Sequence, residues 1–243
     1  TYRDQNTAEV TYSADWQNNR QKAEVEVVKK EKDSDRVLEG AVFALCAKND
    51  ITGADGKVIL EADTVIEELA TDKEGKLTFT ADLPIGFEYY IKETSPAPGF
   101  ATTDEKQEFT FEYEGAETEK VSYAFTFEDE PTVIEITKTS LTDGKELEGA
   151  KLQVTDENGK VVDSWTSGKE AHIIKELVVG QKYTLTETKP ADGFVTAESI
   201  TFTVKDNAEA QKIEMKDDVT KVEISKTDIS CLLYTSDAAD DLT

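Results

Sequence analysis

Apolar and polar residues alternate in short segments along most of the chain. Alternation with a period of two is typical of β-strands that turn one face toward a core and the other toward solvent. It is clearest at Val25, Val27 and Lys29, at Ile134, Ile136 and Lys138, at Tyr183, Leu185 and Glu187, and at Ile213, Met215 and Asp217. Glycine-containing turns such as ADGK at 54–57 and DENGK at 156–160 separate the segments. The pattern predicts an all-β protein built from β-sandwiches.

The same order of segments occurs twice. The matched pairs are VEVVKKEKDSDRVLEGA at 25–41 with IEITKTSLTDGKELEGA at 134–150, YYIKETSPAPGF at 89–100 with YTLTETKPADGF at 183–194, and FTFEDEPT at 125–132 with IEMKDDVT at 213–220. Repetition on this scale marks tandem modules, each of which buries its own core. We predict one module at 23–131 and a second at 132–219, joined with almost no linker.

The two ends of the sequence suggest a fragment of a longer protein. Residues 1–22 are predicted to contain the closing strand of a preceding module, with Asn18 as its orphaned reactive residue. Residues 220–228 restart the opening strand of a following module, with Lys226 in the repeated lysine position. Residues 229–243 break the pattern and are interpreted as a non-native read-through tail, with a disordered natural tail as the alternative.

The first copy is longer than the second between its opening and central strands. Its extra residues include ADTVIEELAT at 62–71, the only segment that we predict to be helical. This segment is also where an exposed ligand-binding patch would be sought.

Composition excludes several kinds of function. The formal net charge of −25 disfavours nucleic-acid and anionic-membrane partners, which require basic surfaces. No apolar run reaches the roughly 20 residues of a membrane span. His172 is the only histidine, so a multi-histidine metal site is excluded. We interpret His172 as a solvated strand residue and not as a catalytic base. Cys46 and Cys231, the only two cysteines, do not occupy equivalent positions of the repeat, so we expect no disulfide framework. No metal or cofactor is predicted.

Three ionisable residues occupy corresponding positions in both copies. Lys29, Glu93 and Asp129 each continue the apolar face of a strand, which directs all three side chains into one core. A buried isolated charge is costly, so such groups pair, become neutral or react. Desolvation lowers the pKa of a lysine and raises that of a carboxyl, which suits condensation of an amine with an acid.

The second copy repeats the triplet as Lys138, Glu187 and Asp217. A single such lysine would ordinarily extend its amine to solvent, and a single glutamate would lie on the exposed face. The lysine, the glutamate and the aspartate occupy matching strand positions in two copies of different length. This agreement favours a functional site over three unrelated surface charges. Lys30 and Asp218 adjoin the candidates, but a shift of one residue places a side chain on the opposite face.

These residues resemble those of a known family, the CnaB-like or SpaA-type domains of Gram-positive adhesins and pilins, which are prealbumin-like, reverse-immunoglobulin sandwiches. The second copy is especially similar to the domain from which the SpyCatcher reagent was made, through ITKTSLTDGKELEGAKLQVTDENGKVVDSWTS and YTLTETKPADGF. The resemblance implies a spontaneous isopeptide bond, with Lys138 as nucleophile, Glu187 as acid/base catalyst and Asp217 as acceptor. The matching residues of the first copy are Lys29, Glu93 and Asp129. Cys46 stands where this family often has an aromatic residue and is interpreted as a free thiol at a strand end.

The resemblance implies a structural stalk of a cell-wall-anchored surface protein, with single-turnover self-crosslinking instead of enzymatic turnover. Its location would be extracellular, and any host or extracellular ligand would bind through other regions of the full protein. Two alternatives remain at the level of sequence. The modules could themselves bind a matrix or carbohydrate ligand, or they could be an accessory region of a secreted hydrolase.

Overall fold

A computed structural model describes residues 20–221 and residue 224, and within that part of the chain the regular structure is entirely β. No helix in the described part is long and apolar enough to cross a membrane. The strands are β1 Lys22–Glu31, β2 Val42–Ala47, β3 Ile51–Thr52, β4 Val58–Leu60, β5 Val65–Ala70, β6 Lys76–Phe79, β7 Phe87–Ser95, β8 Lys106–Phe111, β9 Lys120–Asp129, β10 Val133–Ser140, β11 Lys151–Thr155, β12 Val161–Thr166, β13 His172–Lys175, β14 Lys182–Lys189, β15 Ile200–Thr203 and β16 Gln211–Asp217.

The strands form two modules of the same architecture. Module 1 comprises β1 to β9, with a three-stranded sheet in the order β6-β1-β9, a four-stranded sheet in the order β5-β2-β7-β8 and a small β3-β4 hairpin. Module 2 comprises β10 to β16, with sheets in the orders β13-β10-β16 and β12-β11-β14-β15. Among the described strands, no sheet draws members from both modules. The all-β tandem sandwich expected from the sequence is confirmed.

The first and last strands of each module are neighbours in one sheet and run parallel. In module 1, β1 pairs with β9 from Lys22 opposite Lys120 to Glu31 opposite Asp129. In module 2, β10 pairs with β16 in the same way. Such a pair brings the start and the end of a module into contact, although almost the whole module lies between them in sequence.

Each module has its own hydrophobic core between its two sheets. In module 1 the inward faces of β1, β2 and β7 contribute Val25, Val27, Phe43 and Ile91. In module 2 Ile134, Leu152, Leu185 and Met215 occupy the corresponding layer. In β1 and β14 the alternation in the sequence corresponds to these faces, since the residues between the buried positions are more exposed and, apart from Val28, polar.

The prediction of a helix at 62–71 is wrong. Residues Val65–Ala70 form β5, which pairs antiparallel with β2 at the edge of the four-stranded sheet. Glu67, which would suit a helix, accepts hydrogen bonds from the backbone amides of Thr80 and Ala81, at 2.8 Å each. Backbone pairing with β2 therefore outweighs the local helical preference of the segment.

Two further expectations need correction or refinement. His172 is not a simple solvated residue, because its ring stacks on Trp165 at a centroid distance of 4.0 Å and its Nε2 lies 2.8 Å from Asp163 Oδ2. Cys46 is a free thiol in β2 and is fully buried beside Tyr90. Burial raises the pKa of its thiol. Cys231 lies outside the described residues.

One glycine turn directly contacts strand β1 of module 1, which carries Lys29. Gly75 has φ +68°, and a Cβ added there would lie 2.7 Å from Val37 Cβ and 2.8 Å from the Lys29 carbonyl oxygen. Its own carbonyl accepts a hydrogen bond of 2.8 Å from the Lys29 amide. Only glycine combines this backbone conformation with so close an approach.

The two modules are joined by a short connection that contacts both. Strand β9 ends at Asp129 and β10 begins at Val133. Between them, the Thr132 amide donates to the Gly99 carbonyl in module 1 at 3.0 Å, and the Thr132 hydroxyl donates to the Leu177 carbonyl in module 2 at 2.7 Å. The connection is therefore part of the packed structure.

Candidate functional site

The structure brings Lys29, Glu93 and Asp129 together in the core of module 1. Their relative exposures are 0%, 6% and 2%, which is unusual for three ionisable residues. The Lys29 Nζ atom contacts Asp129 Oδ1 and lies 3.0 Å from Glu93 Oε1. The amine therefore lies between the two carboxyl groups.

Strand register accounts for this convergence. Lys29 lies opposite Phe127 in the parallel pair of β1 and β9, so Asp129 is two residues further along and on the same inward face. Glu93 reaches the site from the other sheet, where it lies opposite Phe43. The Phe43 ring packs beneath the amine, with Lys29 Nζ 5.4 Å from the ring centroid.

Module 2 repeats the geometry. Lys138 Nζ contacts Asp217 Oδ1 and lies 3.0 Å from Glu187 Oε1, and all three side chains are buried. Lys138 lies opposite Met215, which again places the aspartate two residues further along the parallel strand. Glu187 lies opposite Leu152, in the place of Phe43. The two sites therefore share one register and one set of strands.

Each glutamate is oriented by a backbone amide that the sequence did not single out. The Thr103 amide donates to Glu93 Oε2 at 2.9 Å, and the Ala197 amide donates to Glu187 Oε2 at 2.8 Å. A backbone donor leaves no side-chain signature. The sequence offers only their spacing as a signal for these donors: each lies four residues after the glycine of a repeated Gly-Phe pair, at Gly99 and Gly193.

Burial raises the pKa of three of these carboxyl groups. It raises the pKa of Glu93 to about 7, with Lys29 opposing the rise and the Asp129 charge adding to it. Burial also raises the pKa of Asp129, opposed by Lys29, and that of Asp217, opposed by Lys138. A lysine beside two ionised carboxylates would leave one net negative charge in the core, so a proton retained on one carboxyl makes the triplet neutral.

Unpaired oxygens point to the same protonation state. Glu93 Oε1 and Asp129 Oδ2 are buried without a hydrogen-bond partner, as are Glu187 Oε1 and Asp217 Oδ2. The two glutamate oxygens are each 3.0 Å from a lysine Nζ, but the angle is not that of a hydrogen bond. Buried acceptors without donors are costly, and a carboxyl proton would relieve this cost.

The other residues singled out from the sequence are not placed in either of the two sites. Lys30 is directed away from the core and is half-buried, and Asp218 Oδ1 accepts a hydrogen bond from the neighbouring Val219 amide. Asn18 and Lys226 lie outside the described residues. In the part of the chain that the structure describes, no group of three or more His, Cys, Asp or Glu side chains is arranged to hold a metal ion.

These features define a class of protein: tandem β-sandwiches, each with a lysine, a glutamate and an aspartate buried between its first, central and last strands. The model of the SpaA prealbumin-like fold domain matches residues 23–124 and 132–219. The chain therefore belongs to the SpaA prealbumin-like domain family. No curated protein sequence matches the chain significantly.

Several solved structures are similar to this chain. The Bacillus anthracis TIE protein is 25% identical with a TM-score of 0.50, over 82% of this chain and 34% of that protein, so the chain spans about a third of its length. The shaft pilin SpaA of Lactobacillus rhamnosus GG is 16% identical with a TM-score of 0.37, over 83% of this chain and 99% of the pilin. The pilus adhesin SpaC of the same organism is 14% identical with a TM-score of 0.41, over 83% of this chain and 32% of the adhesin.

Proposed function

We propose that each module closes itself with an intramolecular amide, between Lys29 and Asp129 in module 1 and between Lys138 and Asp217 in module 2. The observation that carries the proposal is the contact of each buried lysine Nζ with an aspartate carboxyl, with a glutamate 3.0 Å from the same amine. No external substrate enters this reaction, and each site reacts once.

The chemistry requires only the three side chains. Transfer of a proton from the lysine ammonium to the aspartate gives a neutral amine and a neutral carboxyl group, which burial favours. The amine nitrogen then attacks the aspartate Cγ and forms an N–C bond, while the glutamate transfers protons between the nitrogen and the departing oxygen. One C–O bond breaks, one water leaves, and the glutamate returns to its starting state.

Position along the strands explains what such a bond would achieve mechanically. The chain enters module 1 at Lys22 and leaves it at Asp129, on two adjacent parallel strands. With Lys29 and Asp129 joined, tension would pass along the beginning of β1, through the amide and out of the module. The residues between them would carry none of the load. Module 2 would transmit force in the same way through Lys138 and Asp217.

The bond would also restrict the unfolded chain. It would close loops with sequence separations of 100 residues in module 1 and 79 residues in module 2. By the loop-entropy relation used for disulfides, each closure contributes about 4 to 5 kcal/mol to the free energy of unfolding.

This function corresponds to a stalk segment of an extracellular surface protein. Membership of the SpaA prealbumin-like family supports a pilus or cell-wall context, in which the modules serve as structural units of a larger adhesin or pilin-like protein. Contacts with pilus subunits or host ligands would then be made through other regions of that protein. Domain boundaries at 23–131 and 132–219 fit this proposal, because each range contains one complete triplet.

Intact-mass measurement tests the proposal. Each condensation expels one water, about 18 Da, so the folded chain should weigh about 36 Da less than its sequence mass when both modules have reacted. Protease digestion should release Lys29 and Asp129 in one linked peptide pair, and Lys138 and Asp217 in another. A full sequence mass after folding at neutral pH would contradict the proposal and favour the ligand-binding alternative.

A further inference from the structure

A short segment of module 1, residues 101–103, links the reactive site of that module to the surface of module 2. The Thr102 amide donates to Asp206 Oδ1 at 2.8 Å, and the Thr102 hydroxyl donates to Asp206 Oδ2 at 2.7 Å. Asp206 belongs to module 2, in the turn between β15 and β16. Both oxygens of this exposed carboxylate are therefore directed to one residue of the other module.

The neighbours of Thr102 fix the segment at two further points. The Ala101 amide donates to the Glu130 carbonyl at 3.0 Å, and the Thr103 amide donates to Glu93 Oε2 at 2.9 Å. Three consecutive amides thus bind the inter-module connection, module 2 and the glutamate of module 1. Because adjacent peptide units are rigid planes, a displacement of Thr102 changes the direction of the Thr103 N–H.

We propose that Asp206 is a positioning residue for amide formation in module 1: by holding Thr102, module 2 sets the Thr103 amide that orients Glu93. This inference rests on the proposed self-crosslinking. It adds that the first site reaches its full rate only when the second module has folded and docked against it.

The surroundings of Asp129 agree with this coupling. An open cavity of about 320 Å³ borders Asp129 at the junction and is lined by Thr102 and Thr103 of module 1 and by Ala208 of module 2. Burial is the main cause of the raised pKa of Asp129, and the nearby charge of Asp206 adds to it. Module 2 therefore acts on both carboxyl groups of the first site.

The second site provides an internal control within the same molecule. Its orienting donor is the Ala197 amide, which follows Thr196 as Thr103 follows Thr102. Among the described residues, Thr196 has no counterpart of the bidentate contact with Asp206. Substitution of Asp206 should therefore affect the link of module 1 and leave that of module 2 unchanged.

Kinetics of bond formation in the full chain test the inference. The chain would be made by a brief pulse of cell-free translation, quenched in denaturant at intervals and digested, and the two linked peptide pairs would be quantified by mass spectrometry. We expect Asp206→Ala to slow the Lys29–Asp129 link about tenfold, because a misplaced catalytic group loses much of its effectiveness. The Lys138–Asp217 link should form at the wild-type rate.

Two further variants separate hydrogen bonding from general docking. Asp206→Asn retains an acceptor for the Thr102 amide and should restore the rate to within about twofold of wild type. Arg36→Ala removes a different inter-module contact, the paired hydrogen bonds from Arg36 to Glu176 at 2.6 and 2.9 Å, and should leave both rates unchanged.

The outcomes are distinguishable. Equal rates of Lys29–Asp129 linkage in wild type and Asp206→Ala would overturn the role of Asp206 and leave the self-crosslinking intact. Failure of Asp206→Asn to restore the rate, or an equal slowing by Arg36→Ala, would also overturn it. Absence of both links from the wild-type chain would instead contradict the proposed function.

Discussion

Asp129 lies on the strand beside Lys29, two residues beyond the position directly opposite it, so that both side chains face the same core. Asp217 has the same relation to Lys138. In a parallel pair this offset lets a long lysine side chain reach along the strand direction to a short aspartate side chain. Because the offset is the same in both modules, the two sites are geometrically equivalent.

Replacing either glutamate should block one amide without affecting the other. Glu187→Gln keeps the size of the side chain but removes its acid/base capacity, so the chain should lose one water, about 18 Da, instead of two. Glu93→Gln should have the same effect on the link of module 1. Intact mass and peptide mapping would show which link is missing. Loss of both waters in either variant would exclude a required role for that glutamate.

The identity of the nucleophile can be tested with adjacent lysines. Lys29→Arg keeps the positive charge but supplies no reactive amine at neutral pH, and should abolish the Lys29–Asp129 link. Lys30→Arg is the matched control, because Lys30 is directed away from the core on the same strand. This control should form both links. Peptide mapping that found Lys30 joined to Asp129 would refute the assignment.

Reaction in module 1 should slow as the pH rises through about 7, the pKa to which burial raises Glu93. The folded, unreacted module favours the protonated form of Glu93, so the contribution of this proton to the free energy of unfolding is present at low pH and is lost as the pH rises through about 7. The reaction should slow over the same range, because only the protonated carboxyl can give a proton to the departing oxygen. Rates would be measured by transferring freshly synthesised chain into buffers on either side of pH 7. Glu187→Gln leaves the site of module 1 intact and should retain the inflection in the rate of the Lys29–Asp129 link, whereas a wild-type rate that does not change across pH 7 would contradict the assignment to Glu93.

The turn beneath Lys29 should be intolerant of a side chain. Gly75→Ala would place its Cβ 2.7 Å from Val37 Cβ, and the resulting strain should lower the free energy of unfolding of module 1 by about 1 to 3 kcal/mol. Gly56→Ala is the matched control, because Gly56 also has a positive φ, +76°, but has nothing within 4 Å of an added Cβ. Denaturant unfolding of the two variants should show the larger loss for Gly75→Ala.

Much of this arrangement could be predicted from sequence because a β-strand has only two faces. Once Lys29 is in register with Val25 and Val27, its side chain must point into the core, and the same holds for Glu93 and Asp129. The repeat strengthened the prediction, because it placed the same three residue types on the same strands in both modules.

Other features could not be predicted, because the alternation of apolar and polar residues carries no information about tertiary contacts. Val65–Ala70 form an edge strand because β2 offers a pairing partner, and local propensity carries no information about such a partner. The Thr103 and Ala197 amides orient the glutamates through backbone atoms that every residue type shares. Asp206 of module 2 accepts a hydrogen bond from Thr102 of module 1, 104 residues away in sequence. Such features depend on tertiary packing.

The parallel pairing of first and last strands also determines how the molecule grows. Because β1 and β9 run in the same direction, the chain enters module 1 at one end of these strands and leaves it at the other. The opening strands have ten residues in module 1 and eight in module 2, which corresponds to roughly 33 and 26 Å, so each copy advances the chain by about that distance instead of returning it to its origin. Duplication of a module in the gene would therefore lengthen the reach of the protein in nearly equal increments, with no new fold required.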